Sequence, residues 1–206
     1  MRIVLVMPVG SPWSRQVASH LVRLGHEVHV VDFERQRANR SYVTGLRAVN
    51  EGEIALFARD MAGVHRLKSA FDSAARYLTC APALRRICAR LDPDIVLSMY
   101  GGGLALMAWA SGFRPYAVYA VGSDILMASR LSRAMVSRTL RAAAVVLANG
   151  DHLARHTRLV SPTAAVRTLL IGVDTDRFRP SAKPASPISI LCTRGFLPVY
   201  NNQYLI

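Results

Sequence analysis

The feature that most constrains this chain is an alternation in which short aliphatic runs, each about one strand long, are separated by stretches with helical periodicity. Residues 3–7 read Ile-Val-Leu-Val-Met, with a Gly, Ser and Pro loop directly behind them. An unbroken run of this kind fits a parallel strand buried on both faces, where alternation with polar residues has no use. From Trp13 the apolar positions fall at Val17, Leu21 and Leu24, with Ser14, Arg15, Ser19 and Arg23 between them. That is an amphipathic helix, stopped by Gly25. Residues 27–33 alternate into a second strand, so the chain opens with a βαβ unit whose crossover should be right-handed.

Residues 34–50 are polar and Arg-rich, and support at most a weak strand at 42–49. A long helical pattern is expected over 53–91, broken near Pro82 and ended by Asp92-Pro93. The alternation then resumes: strand 94–99, helix from Leu104, strand 116–120, helix 124–141, strand 144–148, helix 151–159 and strand 166–171. Repeated βα units of this length predict an α/β fold: a doubly wound parallel sheet, Rossmann-like, with helices on both faces.

The 206 residues are 51% hydrophobic and 19% charged, which supplies ample core and excludes a disordered chain. One Rossmann-like domain is expected over 1–178. The stretch 179–187 holds three prolines in nine residues and reads as a linker. Residues 188–206 offer one strand and half a helix, which cannot bury their own apolar faces, so they read as the truncated start of a second domain. The longest apolar run, 101–113, is cut off by Arg114-Pro115 before it reaches the ~18–20 residues of a spanning helix. The opening residues are too short a run for a secretory signal. Cys80, Cys88 and Cys192 form neither a CxxC pair nor an even set, and read as small apolar fillers in a reducing cytosol.

The 26 Lys and Arg against 13 Asp and Glu give a formal charge of +13. An anionic partner is one reading. Because all the basic residues except Lys68 and Lys183 are arginines, a nucleotide bias in the gene is the other. Arg130, Arg133, Arg138 and Arg141 fall within an arc of about 140° at 100° per residue, a basic helix face that suits either solvent or anionic lipid, with Leu131 and Met135 alongside. Nucleic acid is not expected, since no exposed aromatics interleave with the arginines.

Ligands of an open doubly wound sheet bind at the carboxyl ends of the strands, so the loops there are the candidate site. Three are small or glycine-rich: Gly10 and Ser11; Gly101 and Gly102 behind Tyr100; and Gly122, Ser123 and Asp124. Each offers backbone N–H groups or a close approach, although a flexible turn explains the second and helix capping the third. No GxGxxG, Walker loop or GxSxG elbow is present. His152 and His156 lie four apart on one helix, but without a third ligand they read as surface histidines, and no metal is expected.

Two words are more specific: Val145-Val146-Leu147-Ala148-Asn149-Gly150, and Gly172-Val173-Asp174-Thr175-Asp176-Arg177-Phe178-Arg179-Pro180. The second resembles the nGVDtdrFrP signature of family 4 (group 1) retaining glycosyltransferases, where their first Rossmann-like domain hands over to the second. The resemblance extends to the opening strand and loop, to Gly122-Ser123-Asp124-Ile125, and to residues 192–201. It implies the amino-terminal, acceptor-binding half of a GT-B fold, with the loops of Gly10-Ser11 and Gly122-Ser123-Asp124 facing the interdomain cleft. It also implies hexosyl transfer with retention from a nucleotide-diphosphate sugar to a saccharide or lipid-linked acceptor, without a metal or other cofactor. Family members often carry a His directly before that glycine, where this chain has Val121. Arg194 matches the arginine that grips the donor diphosphate; Tyr200 stands where the family has a lysine. The family's paired glutamates would lie past Ile206. The expectation is therefore a cytoplasmic protein, peripheral at the inner membrane face, lacking most of its donor domain and inactive alone. The alternative is a noncatalytic membrane-recruiting or scaffold subunit completed by a separate donor-domain chain.

Overall fold

The computed structural model describes residues 1–9, 11–34, 61–68, 75–173, 175 and 178–180. The weak strand at 42–49, most of the linker at 179–187, the segment 188–206, Gly10 and Arg194 lie outside the described residues, as does the side chain of Arg130.

Among the described residues seven strands form one sheet: β1 (Arg2–Val6), β2 (Glu27–Glu34), β3 (Gly63–Lys68), β4 (Ile95–Met99), β5 (Tyr116–Ala120), β6 (Val145–Ala148) and β7 (Val166–Thr168). Their order is β3-β2-β1-β4-β5-β6-β7, and every pairing is parallel. The helices among the described residues are α1 (Pro12–Arg23), α2 (Ala75–Leu91), α3 (Gly103–Ala110), α4 (Ser123–Leu126), α5 (Arg130–Ala142) and α6 (Asp151–Val160).

Pleating sends alternate side chains into two apolar layers, which is why the central strands read as aliphatic runs. Val4 and Val6 join Val96, Val118 and Val146 against Leu84 and Cys88 of α2, Met107 of α3 and Leu140 of α5. Ile3, Leu5 and Met7 join Val28, Val30 and Tyr119 over Ala18 and Leu21 of α1. At about 1.5–3 kcal/mol for each large side chain fully buried, these two layers dominate the stability. The expected doubly wound parallel sheet is what forms.

Four local expectations need correction. Residues 63–68, expected inside a helix, form edge strand β3, with His29 opposite Gly63 and Val31 opposite His65. Val64 and Leu67 are spaced as on a helix, but pairing with the open side of β2 overrides that local pattern. The expected break at Pro82 does not occur either: α2 runs through it. Pro82 is exposed, so the carbonyl it deprives of an N–H partner can turn to water. The single helix expected over 124–141 is two, because Ser129 adopts an extended conformation (φ −63°, ψ 165°) and its hydroxyl accepts from the Ser132 N–H at 3.3 Å, capping α5. The last strand is also shorter than expected, ending at Thr168 instead of 171.

Candidate functional site

Strand order reverses between β1 and β4, and in an open parallel sheet the crevice for ligands lies outside the carboxyl ends of the strands at that point. The loop behind β1 brings Val9 and Ser11 there; the loop behind β4 brings Tyr100, Gly101 and Gly102. The β5 loop, with Gly122, Ser123 and Asp124, is next in line. Ser11 stands at the N-cap of α1 with an extended backbone (φ −80°, ψ 127°), yet its hydroxyl makes no capping bond. The Val9 N–H donates to Asp32 Oδ1 at 3.3 Å, tying the β1 loop to the end of β2. Ser14 donates to Met99 Sδ at 3.3 Å, tying α1 to β4.

Asp124 has a role that the sequence did not disclose. Its Oδ1 accepts from the Gly122 N–H at 2.8 Å, and its Oδ2 accepts from the Gly101 N–H. One carboxylate therefore clamps the loops of two neighbouring strands. The backbone donors of Gly101 and Gly122 are turned to Asp124, so any ligand in the crevice meets the outer face of this clamp. Glycine suits both sides of it. Gly122 has φ +148°, and a Cβ at Gly101 would lie 2.7 Å from Ile125 Cδ1 and 3.1 Å from Asp124 Oδ2.

Residues 169–172 leave β7 and run across the carboxyl edge of the sheet. The Leu169 N–H donates to the Ala148 carbonyl at 2.9 Å, and the Tyr119 hydroxyl donates to the Leu169 carbonyl at 3.0 Å. Further on, the Ile171 N–H donates to Asn149 Oδ1 at 3.0 Å, and Gln16 Nε2 donates to the Gly172 carbonyl at 3.3 Å. This stitching reaches from β6 past β5 to α1. It depends on Tyr119, Asn149 and Gln16, none of which was singled out as a site residue; only Asn149 carried a signal, as part of the Leu147-Ala148-Asn149-Gly150 word. Beside the stitched segment, Leu169, Leu170, Val173 and Phe178 are half to two-thirds exposed.

The basic face is on α5. Arg133, Arg138 and Arg141 are exposed, and the Arg138 guanidinium sits 5.3 Å from the centre of the Trp109 ring. Met127, at 71% exposure, precedes that helix, and Met135 lies on it. The His152 and His156 rings lie 4.7 Å apart on α6, tilted by 52°, the first exposed and the second half-buried. Burial pushes the Cys88 thiol up to about 11, which suits an inert filler. No group of three or more His, Cys, Asp or Glu among the described residues could hold a metal ion.

The sequence profile of glycosyltransferase family 4 matches residues 14–177. The chain belongs to glycosyltransferase family 4. No curated protein matches this family 4 chain significantly. Among solved structures, it is similar to a sucrose-phosphate synthase from Thermosynechococcus elongatus, at TM-score 0.63 and 12% identity over 88% of this chain and 51% of that one. It is also similar to the Anabaena protein HepE, solved with UDP and glucose, at TM-score 0.55 and 14% identity over 88% and 47%. A UDP-N-acetylglucosamine 2-epimerase from Rickettsia bellii gives TM-score 0.55 and 13% identity over 82% and 44%. The family 4 chain thus spans about half the length of these structures. At such identities the likeness shows the fold, one Rossmann-like half of a GT-B architecture. The presence of an epimerase among the three demonstrates that the fold alone does not select the reaction.

Proposed function

We propose that this chain is the acceptor-binding half of a retaining glycosyltransferase that moves a hexosyl group from a nucleotide-diphosphate sugar to a saccharide or lipid-linked acceptor without a metal. The observation that carries the reading is the family 4 match over residues 14–177, which includes the crevice loops behind β4 and β5. In this reading Ser11, Gly102 and Ser123 line the acceptor side, and Asp124 fixes the loops that carry them. Rigid loops suit an acceptor whose hydroxyl must meet the anomeric carbon within a narrow range of positions. The exposed Leu169, Leu170, Val173 and Phe178 fit a surface covered by a second, donor-binding unit beginning after a linker at 179–187, in which Arg194 would meet the donor diphosphate. The 206 residues alone would then bind acceptor without turning over.

The exposed arginines and Met127 of the α5 region support peripheral attachment to an anionic membrane at the cytoplasmic face. Vesicle binding should fall as salt rises; binding that ignores salt, or none at all, removes this clause.

The test is a chimera in which a family 4 donor domain is joined behind residue 187 and supplied with nucleotide sugars and a panel of saccharide and lipid-linked acceptors. Transfer with retained anomeric configuration, absent from the 206-residue chain, is the expected result. Transfer by the 206 residues alone would overturn the need for a second half. Capture of a separate donor-domain chain from the native cell, without transfer by the pair, would favour a noncatalytic recruiting subunit.

A further inference from the structure

At the far side of the sheet from α5, on β2 and β3, two imidazoles are packed in a way that neither the fold nor the crevice explains. His29 is buried, with 8% of its side chain exposed. Its Nε2 lies 3.0 Å from Glu27 Oε1, and Glu27 is held in place by Arg2, whose Nε is 2.8 Å from the same oxygen. A carboxylate only accepts, so in the neutral ring this contact places the proton on Nε2 and leaves the lone pair on Nδ1. That Nδ1 is buried and has no hydrogen-bond partner among the described residues, and neither has Nε2 of the neighbouring His65. The two rings stack at 5.7 Å with an interplanar angle of 29°.

Both orphaned nitrogens border one gap. A Cβ at Gly63 would lie 3.0 Å from His29 Nδ1 and 3.3 Å from His65 Nε2, so the gap exists because residue 63 is glycine. Two buried nitrogens without partners would each carry a desolvation penalty of about 1–3 kcal/mol, which a bound group facing both would relieve. The Glu27–His29 contact is the carboxylate–histidine arrangement that orients an imidazole toward a metal from behind.

We propose that His29 Nδ1 and His65 Nε2 bind one divalent transition-metal ion of the zinc, nickel or copper class in the gap at Gly63, clipping edge strand β3 to β2. Imidazole pairs favour such ions over magnesium or calcium, which take oxygen ligands. Two protein ligands leave the remaining coordination positions to water that enters with the ion past His65, which is only half-buried. The ion is structural: it bridges two strands and lies apart from the crevice loops, so the proposal stands independently of the transferase reading.

The experiment is titration of the 206-residue chain with Zn²⁺, followed by isothermal calorimetry and by imidazole ¹⁵N spectra. One ion per chain should bind, shifting His29 Nδ1 and His65 Nε2, and the thermal midpoint should rise with the zinc concentration. Excess Mg²⁺ should not compete. Gly63→Ala, which fills the gap while leaving both histidines in the sequence, and His65→Gln should each abolish the binding. Glu27→Gln should weaken it by roughly 10–100-fold, the usual effect of removing a partner behind a ligand. A double variant, His152→Gln with His156→Gln, should bind as the parent does. Absence of zinc binding by the parent chain overturns the proposal, as does binding that disappears in the α6 double variant. The ¹⁵N shifts of the parent chain decide the matter even if the Gly63 and His65 variants do not fold.

Discussion

β5 and β3 belong to one parallel sheet, yet they are made of opposite materials. β5 reads Tyr-Ala-Val-Tyr-Ala and is buried along its whole length between two helical layers. β3 reads Gly-Val-His-Arg-Leu-Lys and, among the described residues, has a sheet neighbour on one side only. The central strand has no solvent face, so its sequence is confined to apolar residues and to tyrosines whose hydroxyls find acceptors. The edge strand is held by pairing with β2, so it can carry a histidine, an arginine and a lysine. A strand's place in the sheet, more than its intrinsic preference, sets its composition.

That contrast predicts a gradient in the cost of truncation. Leu84 is fully buried beneath the sheet, and Leu84→Ala should cost about 3–5 kcal/mol, near the top of the range for leucine in a core. Leu67 is buried to a similar degree but lies on β3, where neighbours can relax into the space, and Leu67→Ala should cost roughly 2 kcal/mol. Urea denaturation of the two variants measures both numbers. Equal costs would mean that β3 is as rigidly packed as the centre.

The clamp at Asp124 sharpens the comparison within the central half. Asp124→Ala removes the acceptor of two backbone N–H groups and should cost about 2–4 kcal/mol, since bonds to a carboxylate are each worth roughly 1.5–3 kcal/mol and this one is partly solvated. Asp124→Asn keeps one carbonyl acceptor and should recover about half of the loss. Hydrogen exchange at Gly101 and Gly122 should accelerate in the alanine variant and not at His29 or Val31. If exchange rises across β2 as well, the clamp supports the whole domain and not two loops.

The same contrast explains what was legible. Strands buried on both faces declare themselves as aliphatic runs, and 116–120 matches the expected strand residue for residue. Near Gly63 the Val64–Leu67 spacing copies a helix, and no local signal reports that β2 has an open edge waiting. The loops at the carboxyl ends of β1, β4 and β5 could be located from glycines and the resemblance to family 4. What their residues do could not, because Asp124 bonds a glycine 23 positions away and Gln16 bonds one 156 positions away. Contacts of that kind are set by topology. Likewise, Gly63 gives no hint in sequence that it stands between two histidines.

The smallest effect concerns Tyr116, the anchor of β5. Its hydroxyl donates to the Thr139 carbonyl in α5, and burial pushes it up to about 12, while an unfolded tyrosine ionises near 10. Tyr116→Phe should cost about 1–2 kcal/mol at neutral pH through the lost bond and the carbonyl left behind. The pH dependence adds a second reading. Below pH 10 both states keep the proton and the contribution of Tyr116 is fully present. Between 10 and about 12 the unfolded chain releases a proton that the folded chain retains, so stability falls as pH rises. Phenylalanine has no such proton, and the remaining tyrosines are common to both proteins and cancel. The gap between parent and variant, taken from urea midpoints, should therefore narrow as pH rises from about 8 to about 11. A constant gap would show that the hydroxyl ionises as readily in the folded state as in the unfolded one, and that the centre of the sheet is less dry than its sequence implies.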